Sequence, residues 1–386
     1  MTINTDDSPG LSRKGQPARP GPDTAGFVFA WTSLTPVFLL AAGAVFGDRW
    51  GGAWIWAALL YMAVLTYLLD ELITAAAPAD GVEFPAHDRL SVVLAVGHFA
   101  VLFLTVRALT GDALDPARKV ALFLAAGLFM GQVSNSNAHE LIHRGGRGLR
   151  RLGTWVYISL LFGHHASAHP LVHHVHVATD RDPNSAQLGE SYWRFLPRAW
   201  VGSFRAGMKA ETARLARSRQ KKLHPYAVYV GGGLAMIGVS ALIAGPWGVA
   251  VHLWLAGYAQ SQLLLSDYVQ HYGLRRQIRA DGRTEPVGPR HSWNAPHWMT
   301  GHMMLHAPRH SDHHAHPSRP YPALELPAPD VAPTLPRSLP AMATLALFPT
   351  LWRRVMDRRA RRWQTADQQT DHDPHTGESA APEPLA

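Results

Sequence analysis

The sequence predicts an all-α integral membrane protein, six transmembrane helices with a histidine-rich metal site on their cytoplasmic side. Three observations carry that prediction. Apolar runs of about 20 residues, enough to cross a bilayer, recur along the chain. Charged residues make up only 17% of its 386 residues, below the quarter that soluble domains carry. The chain holds 23 histidines and no cysteine. That count excludes disulfides, thiolate zinc sites, cysteine-ligated iron–sulfur clusters and a thiol nucleophile. A metal here must be held by imidazole and carboxylate.

The segment 1–25 is polar and rich in Gly and Pro, as is 364–386, and both are expected to be disordered tails without a cleavable signal peptide. His372 and His375 fall in the second tail and receive no role. Between them, 26–363 is expected to hold the helices and the catalytic region. The six apolar runs lie at about 26–47, 53–69, 90–106, 120–138, 226–244 and 247–265, the last two joined by a tight turn at Gly245–Pro246. The run 154–163 is too short to cross and reads as interfacial or re-entrant.

Net charge is 36 − 28 = +8. Beside apolar spans this reads as the Lys/Arg excess of cytoplasmic loops rather than a nucleic-acid surface. Arg13, Lys14 and Arg19 precede the first span, Arg144, Arg147, Arg150 and Arg151 follow the fourth, and Arg275, Arg276 and Arg279 follow the sixth. Arg214, Arg217, Arg219, Lys221 and Lys222 precede the fifth. All four groups fit one cytoplasmic side; Arg107, Arg118 and Lys119, between spans three and four, do not.

Four histidine clusters open onto that side: HELIHR (139–144), HPLVHH (169–174), the single His271 in DYVQHYGL, and RHSDHHAHP with His310, His313 and His314. Residues four apart share a helix face, so His139 and His143 aim together. Neutral imidazole suits iron, copper, nickel and zinc. So many imidazoles exceed one ion's needs. An HH pair cannot easily aim both rings at one ion, but it can feed two neighbouring ions. Oxygen chemistry requires a redox-active metal with open positions, which favours iron over zinc. His98, His252 and His224 read as packing or surface residues. His302, His306 and His310 fall at i, i+4 and i+8, which on one helix makes a single face; the first two read as lining or supporting residues.

These motifs resemble the membrane-bound non-haem di-iron alkane 1-monooxygenases (alkane omega-hydroxylases). HELIHR is similar to that family's first histidine box, and HPLVHHVHVATDRDPNSAQLGESYWRF to its second box and the segment after it. DYVQHYGL resembles its NYVEHYGL signature. HSWNAPH and PRHSDHHAHPSRPYPAL resemble its HSWN stretch and final box. The likeness runs from about 131 to 324, and the spans extend it to about 27. Three boxes alone are shared with membrane desaturases and sterol hydroxylases; the HYGL and HSDHHAHPxRPYPxL stretches are more specific.

The resemblance implies that His139, His143, His169, His173, His174, His271, His310, His313 and His314 hold two iron ions. Carboxylates that orient ligating imidazoles are then expected nearby, with Glu140, Asp312 and Asp267 as candidates. The chain departs from the family at Ala168 and Gln270, where Glu is usual, and at Asp267, where Asn is usual. The implied reaction is terminal hydroxylation of n-alkanes with O2. The chain lacks a cysteine-bound electron carrier of its own, so rubredoxin and rubredoxin reductase are the expected partners, met by the Arg-rich face of a multi-pass inner-membrane enzyme. Trp54 or Trp56 is a candidate limit to chain insertion, against the commoner role of Trp as interface anchor. His164, His165 and His176 are expected to line or support the site. The alternatives are a hydroxylase of alkyl side chains on aromatics or terpenes, a histidine-box desaturase, an HExxH zinc protease with Glu140 as base, and a metal transporter.

Overall fold

The computed structural model describes residues 21–73, 84, 87–219 and 222–370, and helices dominate them; no strand occurs among the described residues. Helix α1 (Pro22–Phe46) begins on Pro22, whose missing N–H suits a first helical turn. It therefore starts inside the expected tail. Its hydroxyls are satisfied within the helix: Thr32 Oγ1 donates to Val28 O (2.8 Å) and Ser33 Oγ to Phe29 O (2.5 Å), as apolar surroundings demand.

The second run is α2 (Arg49–Leu60), a π-helical turn at Tyr61–Leu65, and α3 (Thr66–Leu72). The Tyr61 hydroxyl donates to Thr32 O (2.8 Å) and pins the widened turn to α1. Helix α4 (His87–Thr110) is the third run. The fourth is α5 (Pro116–Phe129), a π turn at Met130–Ser134, and α6 (Asn135–His143). Its last part is polar, and Gln132, Ser134, Asn135, Ser136 and Asn137 are all buried.

Helix α7 (Arg147–Ser159) contains most of the short run expected at the interface. Val156, Tyr157 and Ile158 are instead buried inside the protein, because α7 packs on α6 and on the long helix described next. After α8 (His165–Ala168), a π turn at His169–His173, α9 (His174–His176) and α10 (Tyr192–Ala216) comes α11 (Pro225–His271).

Helix α11 holds the fifth and sixth runs as two arms folded back at Ala244–Gly245, where Gly245 sits at φ +57°. The reversal brings Ser240 Oγ to His252 Nδ1 at 2.8 Å, an approach impossible for residues 12 apart on one straight helix. His252 Nε2 donates to Ser159 O (2.7 Å), and His98 Nε2 donates to Ser159 Oγ (2.8 Å), so α4, α7 and α11 are tied by a buried polar knot. His224 caps α11, its Nδ1 accepting from Tyr226 N (3.2 Å). These three are packing and capping residues.

The chain ends in α12 (Trp298–Met303), α13 (His310–Ala315), α14 (Leu339–Ala346) and α15 (Pro349–Thr370). Helix α15 extends seven residues past the expected tail boundary at 363. The rest of both expected tails, with His372 and His375, lies outside the described residues. Four helical segments among the described residues are long and apolar enough to cross a bilayer: Pro22–Phe46, Arg49–Leu72, His87–Thr110 and Pro225–His271.

Candidate metal centre

Three helix ends and one long-helix terminus meet beneath this bundle. Helix α6 brings His139 and His143, α11 ends on His271, the π turn and α9 bring His169, His173 and His174, and α13 brings His310, His313 and His314. Close packing sets the π turn that leads into α6 against α11: a Cβ on Gly131 would lie 2.3 Å from the Gln262 amide nitrogen.

The nine histidines sort into two groups. His139, His143, His169, His174 and His313 form one; His173, His271, His310 and His314 form the other. Within each, one ring nitrogen per residue lies within 4.8 Å of all the others. Two imidazoles on one first-row ion, at ~2.1 Å each, stand at most ~4.2 Å apart, so each group is near the size of one coordination sphere.

Helix geometry explains the sorting. Successive residues on a helix point ~100° apart, so each HH pair divides: His174 joins the five and His173 the four, while His313 joins the five and His314 the four. On α13, His310 and His314 are four apart and share the second group. An α-helical reading pairs His169 with His173. The π turn, whose hydrogen bonds run i to i+5, instead aligns His169 with His174, Nε2 to Nε2 at 2.9 Å.

Both groups fit a metal ion on the chemistry of their atoms. His139 and His169 approach Nε2 to Nε2 at 2.7 Å, His174 and His313 at 3.1 Å, and His310 meets His271 at 3.0 Å and His314 at 3.1 Å. A ring nitrogen carries either a proton or a lone pair, and a shared cation satisfies all of these lone pairs together. His143 Nε2 and His173 Nε2 are buried without a partner. Burial holds His169, His174, His310, His313 and His314 well below the usual histidine range, helped by neighbouring imidazoles, so they stay in the neutral form that ligates.

His173 differs. Burial lowers it, but the charge of Asp182 and a hydrogen bond to it outweigh burial and raise it. His173 Nδ1 donates to Asp182 Oδ2 (2.9 Å), which fixes the tautomer and leaves Nε2 as the free lone pair. Burial would raise Asp182, yet His173 holds it below the usual carboxylate range. Ser185 Oγ (2.6 Å) and Asn184 N (3.0 Å) also donate to Asp182. Asp182 was missed at the sequence level. Its signal was the turn-forming DPNS that follows the second box.

Among the described residues no hydrogen bond joins the three expected carboxylates to the nine histidines. Glu140 pairs with Arg144 (3.3 Å), and Asp312 accepts from Arg319 (2.9 Å), His316 (2.9 Å) and Glu325 N (2.8 Å). Neither hydrogen-bonds a histidine of either group, because each faces the opposite side of its helix. Asp267 accepts from Asn184 Nδ2 (2.6 Å) and reaches the centre through that loop.

His165 lies 4.8 Å, ring to ring, from His169. His164 packs on Trp200 and Phe204, and His176 is partly exposed outside both groups. His302 and His306 do not continue the face of His310, since Leu305 and His306 adopt positive φ and break the helix; both rings pack against Phe29 at 4.8 Å, the first tilted and the second edge-on.

A small cavity, about 50 Å³, touches both groups at His139, His169 and His310 and is also lined by His165, Asp267 and Met304. Gly131, Ser266 and Met304 separate it from an apolar cavity of about 450 Å³. That one adjoins a third, about 550 Å³, at Met62, Ala63, Pro340 and Thr344. Trp54 and Trp56 line none of the three; Trp54 packs edge-on to Phe38 at 5.5 Å.

A family model for fatty acid desaturases matches residues 118–346. The alkane 1-monooxygenase of Acinetobacter baylyi is 36% identical over 244 residues, covering 62% of this chain and 59% of that protein. Alkane 1-monooxygenase 2 of Pseudomonas aeruginosa is 31% identical over 344 residues, covering 83% of this chain and 88% of that protein. More distantly, the xylene/toluene monooxygenase hydroxylase component XylM of Pseudomonas putida is 25% identical over 334 residues, covering 83% and 85%.

Proposed function

This chain belongs to the fatty acid desaturase family and groups there with the alkane 1-monooxygenases, and we propose that it hydroxylates the terminal carbon of n-alkanes. The balanced reaction is RH + O2 + 2e− + 2H+ → ROH + H2O. The observation that carries the reading is two convergent imidazole groups facing one small cavity that shares Gly131, Ser266 and Met304 as a common wall with a wide apolar one. Two irons, one in each group, would supply the redox chemistry that activates dioxygen.

The chain's own residues do the rest. The nine histidines would hold the metals, and Asp182 orients His173. The small cavity admits little beyond dioxygen and the end of a chain, which excludes bulk water. The apolar cavities fall in the 300–1,000 Å³ range of ordinary ligand sites and accept the rest of the alkane, which enters laterally from lipid. Met62 and Ala63, not Trp54 or Trp56, face that path. Asp267 and Gln270 line the small cavity beside the metals.

The membrane reading counts six spans. The helix Pro116–Phe129 and its continuation to His143 is the fourth, and the arms of α11 are the fifth and sixth. Arginine placement supports a metal centre on the cytoplasmic side of the inner membrane. The chain's lack of cysteine calls for an external rubredoxin and its reductase as electron source.

Product analysis tests the proposal. The chain is expressed in membranes with rubredoxin and its reductase and fed octane, hexadecane and an alkylbenzene. A primary alcohol from either alkane is the expected result. Benzylic alcohol alone would move the substrate class toward that of the xylene/toluene relative, to which Tyr192, Trp193 and Tyr258 of the apolar cavity also lend support. No oxygenated product from any substrate, with two irons bound, would overturn hydroxylation in favour of a desaturase.

A further inference from the structure

The five-histidine group reaches the surface at α9. His174 keeps some exposed surface, the next residue Val175 is 53% exposed, and His176 is partly exposed. One loop lies directly against this corner. Arg276 N donates to Ala178 O (2.9 Å), and Arg276 Nη1 donates to Val175 O (3.0 Å). The loop then turns back tightly, with Arg279 N donating to Arg283 O and Glu285 N to Gln277 O (2.9 and 3.0 Å). Its tip presents Ile278, 74% exposed, with Arg279 and Arg283 exposed beside it. Arg181 is exposed on the neighbouring turn.

Across 175–181 and 275–285 the cations are Arg181, Arg275, Arg276, Arg279 and Arg283, and the anions are Asp180, Asp281 and Glu285. Two of the anions are engaged at home. Asp180 pairs with Arg275 (3.4 Å), and Glu285 binds His291 (3.0 Å) and the Arg276 guanidinium through its carbonyl. The surface is therefore two exposed apolar side chains among basic ones, adjoining a histidine of the metal centre. Small, polar-rimmed contacts of this kind suit brief redox encounters, and opposite charge speeds them.

We propose that this patch, Val175 and Ile278 framed by Arg181, Arg279 and Arg283, is where a small acidic one-electron carrier docks. The proposal rests on the oxygenase reading for its need of electrons. Two reduced carriers must dock in turn at each turnover, each losing one electron, because the reaction consumes two. Docking here brings the carrier's redox centre to His174 rather than to the buried four-histidine group.

The test is direct binding of rubredoxin to the full chain in nanodiscs across a salt series, with iron content measured to show that each variant is intact. R181E/R279E/R283E is expected to raise Kd at least ~10-fold at low salt, the difference shrinking above ~0.15 M as screening sets in. Val175→Asp is expected to weaken binding as well. Arg354 and Arg358, exposed on α15, give the control pair R354E/R358E, expected to bind normally. Unchanged binding in the triple variant, or loss only in the α15 pair, would overturn the assignment. Hydroxylation driven by a small-molecule reductant separates the two ideas: the triple variant should match the parent. A parent that makes no alcohol would defeat the oxygenase reading, while the binding series would still decide the docking face.

Discussion

His173, His271, His310 and His314 are buried on every side, whereas three of the five in the neighbouring group, His139, His143 and His174, are mostly buried but keep some exposed surface. The four are braced from behind: Asp182 holds His173, and the His291 carbonyl accepts from His271 Nδ1 at 3.3 Å. Among the described residues no carboxylate hydrogen-bonds a member of the five. One group is thus fixed by buried polar partners and the other by helix ends near the surface. The same side chain is braced from behind in one group and nearer the surface in the other.

Removing a ligand should have the largest effect and should differ between the groups. His310→Ala leaves three imidazoles in the buried group, so iron should fall from two toward one per chain. His313→Ala leaves four in the outer group, so more iron should remain. Turnover in both should drop by more than the ~100-fold typical of a lost supporting partner. Equal iron loss in the two variants would break the distinction. Metal analysis and alcohol yield, with membrane insertion checked, give the answer.

Asp182→Asn sharpens the comparison next. It removes the charge that sets the His173 tautomer and should cost ~10–100-fold in metal affinity or activity, read by iron competition with a chelator. The loss should fall on the buried site. Chelation of the parent protein comes third: iron should leave in two phases, the faster from the less buried group, and a single phase would show that burial does not govern release.

The smallest effect is expected at Asp312→Asn. Its partners are Arg319, His316 and Glu325 N rather than the metal centre, so stability should fall by about 1–3 kcal/mol while both irons stay. Thermal unfolding with metal analysis checks this, and loss of iron would return Asp312 to the role the sequence suggested.

Much of this was legible from residue order. The apolar runs gave the helices, the Gly245–Pro246 turn gave the reversal in α11, and the nine histidines singled out are those whose nitrogens converge. That HH pairs feed two sites follows from ~100° per residue. The short run at 154–163 misled, because amphipathic surface and a face buried against other helices look alike in one dimension. His302 and His306 misled because regular spacing is no guide where the backbone breaks at Leu305.

The sequence by itself determined the membrane character, the ligand type and the crowding of imidazoles, since these depend on composition and near-neighbour spacing. Only the tertiary structure decided which histidine joins which group, that Asp182 rather than Glu140 or Asp312 hydrogen-bonds one of them, and that a small cavity lies between the two groups and a wide apolar one. Those outcomes depend on one π turn, one helix reversal and contacts between segments far apart in the chain, such as α6 with α13. Local pattern has no access to such distances; packing sets them.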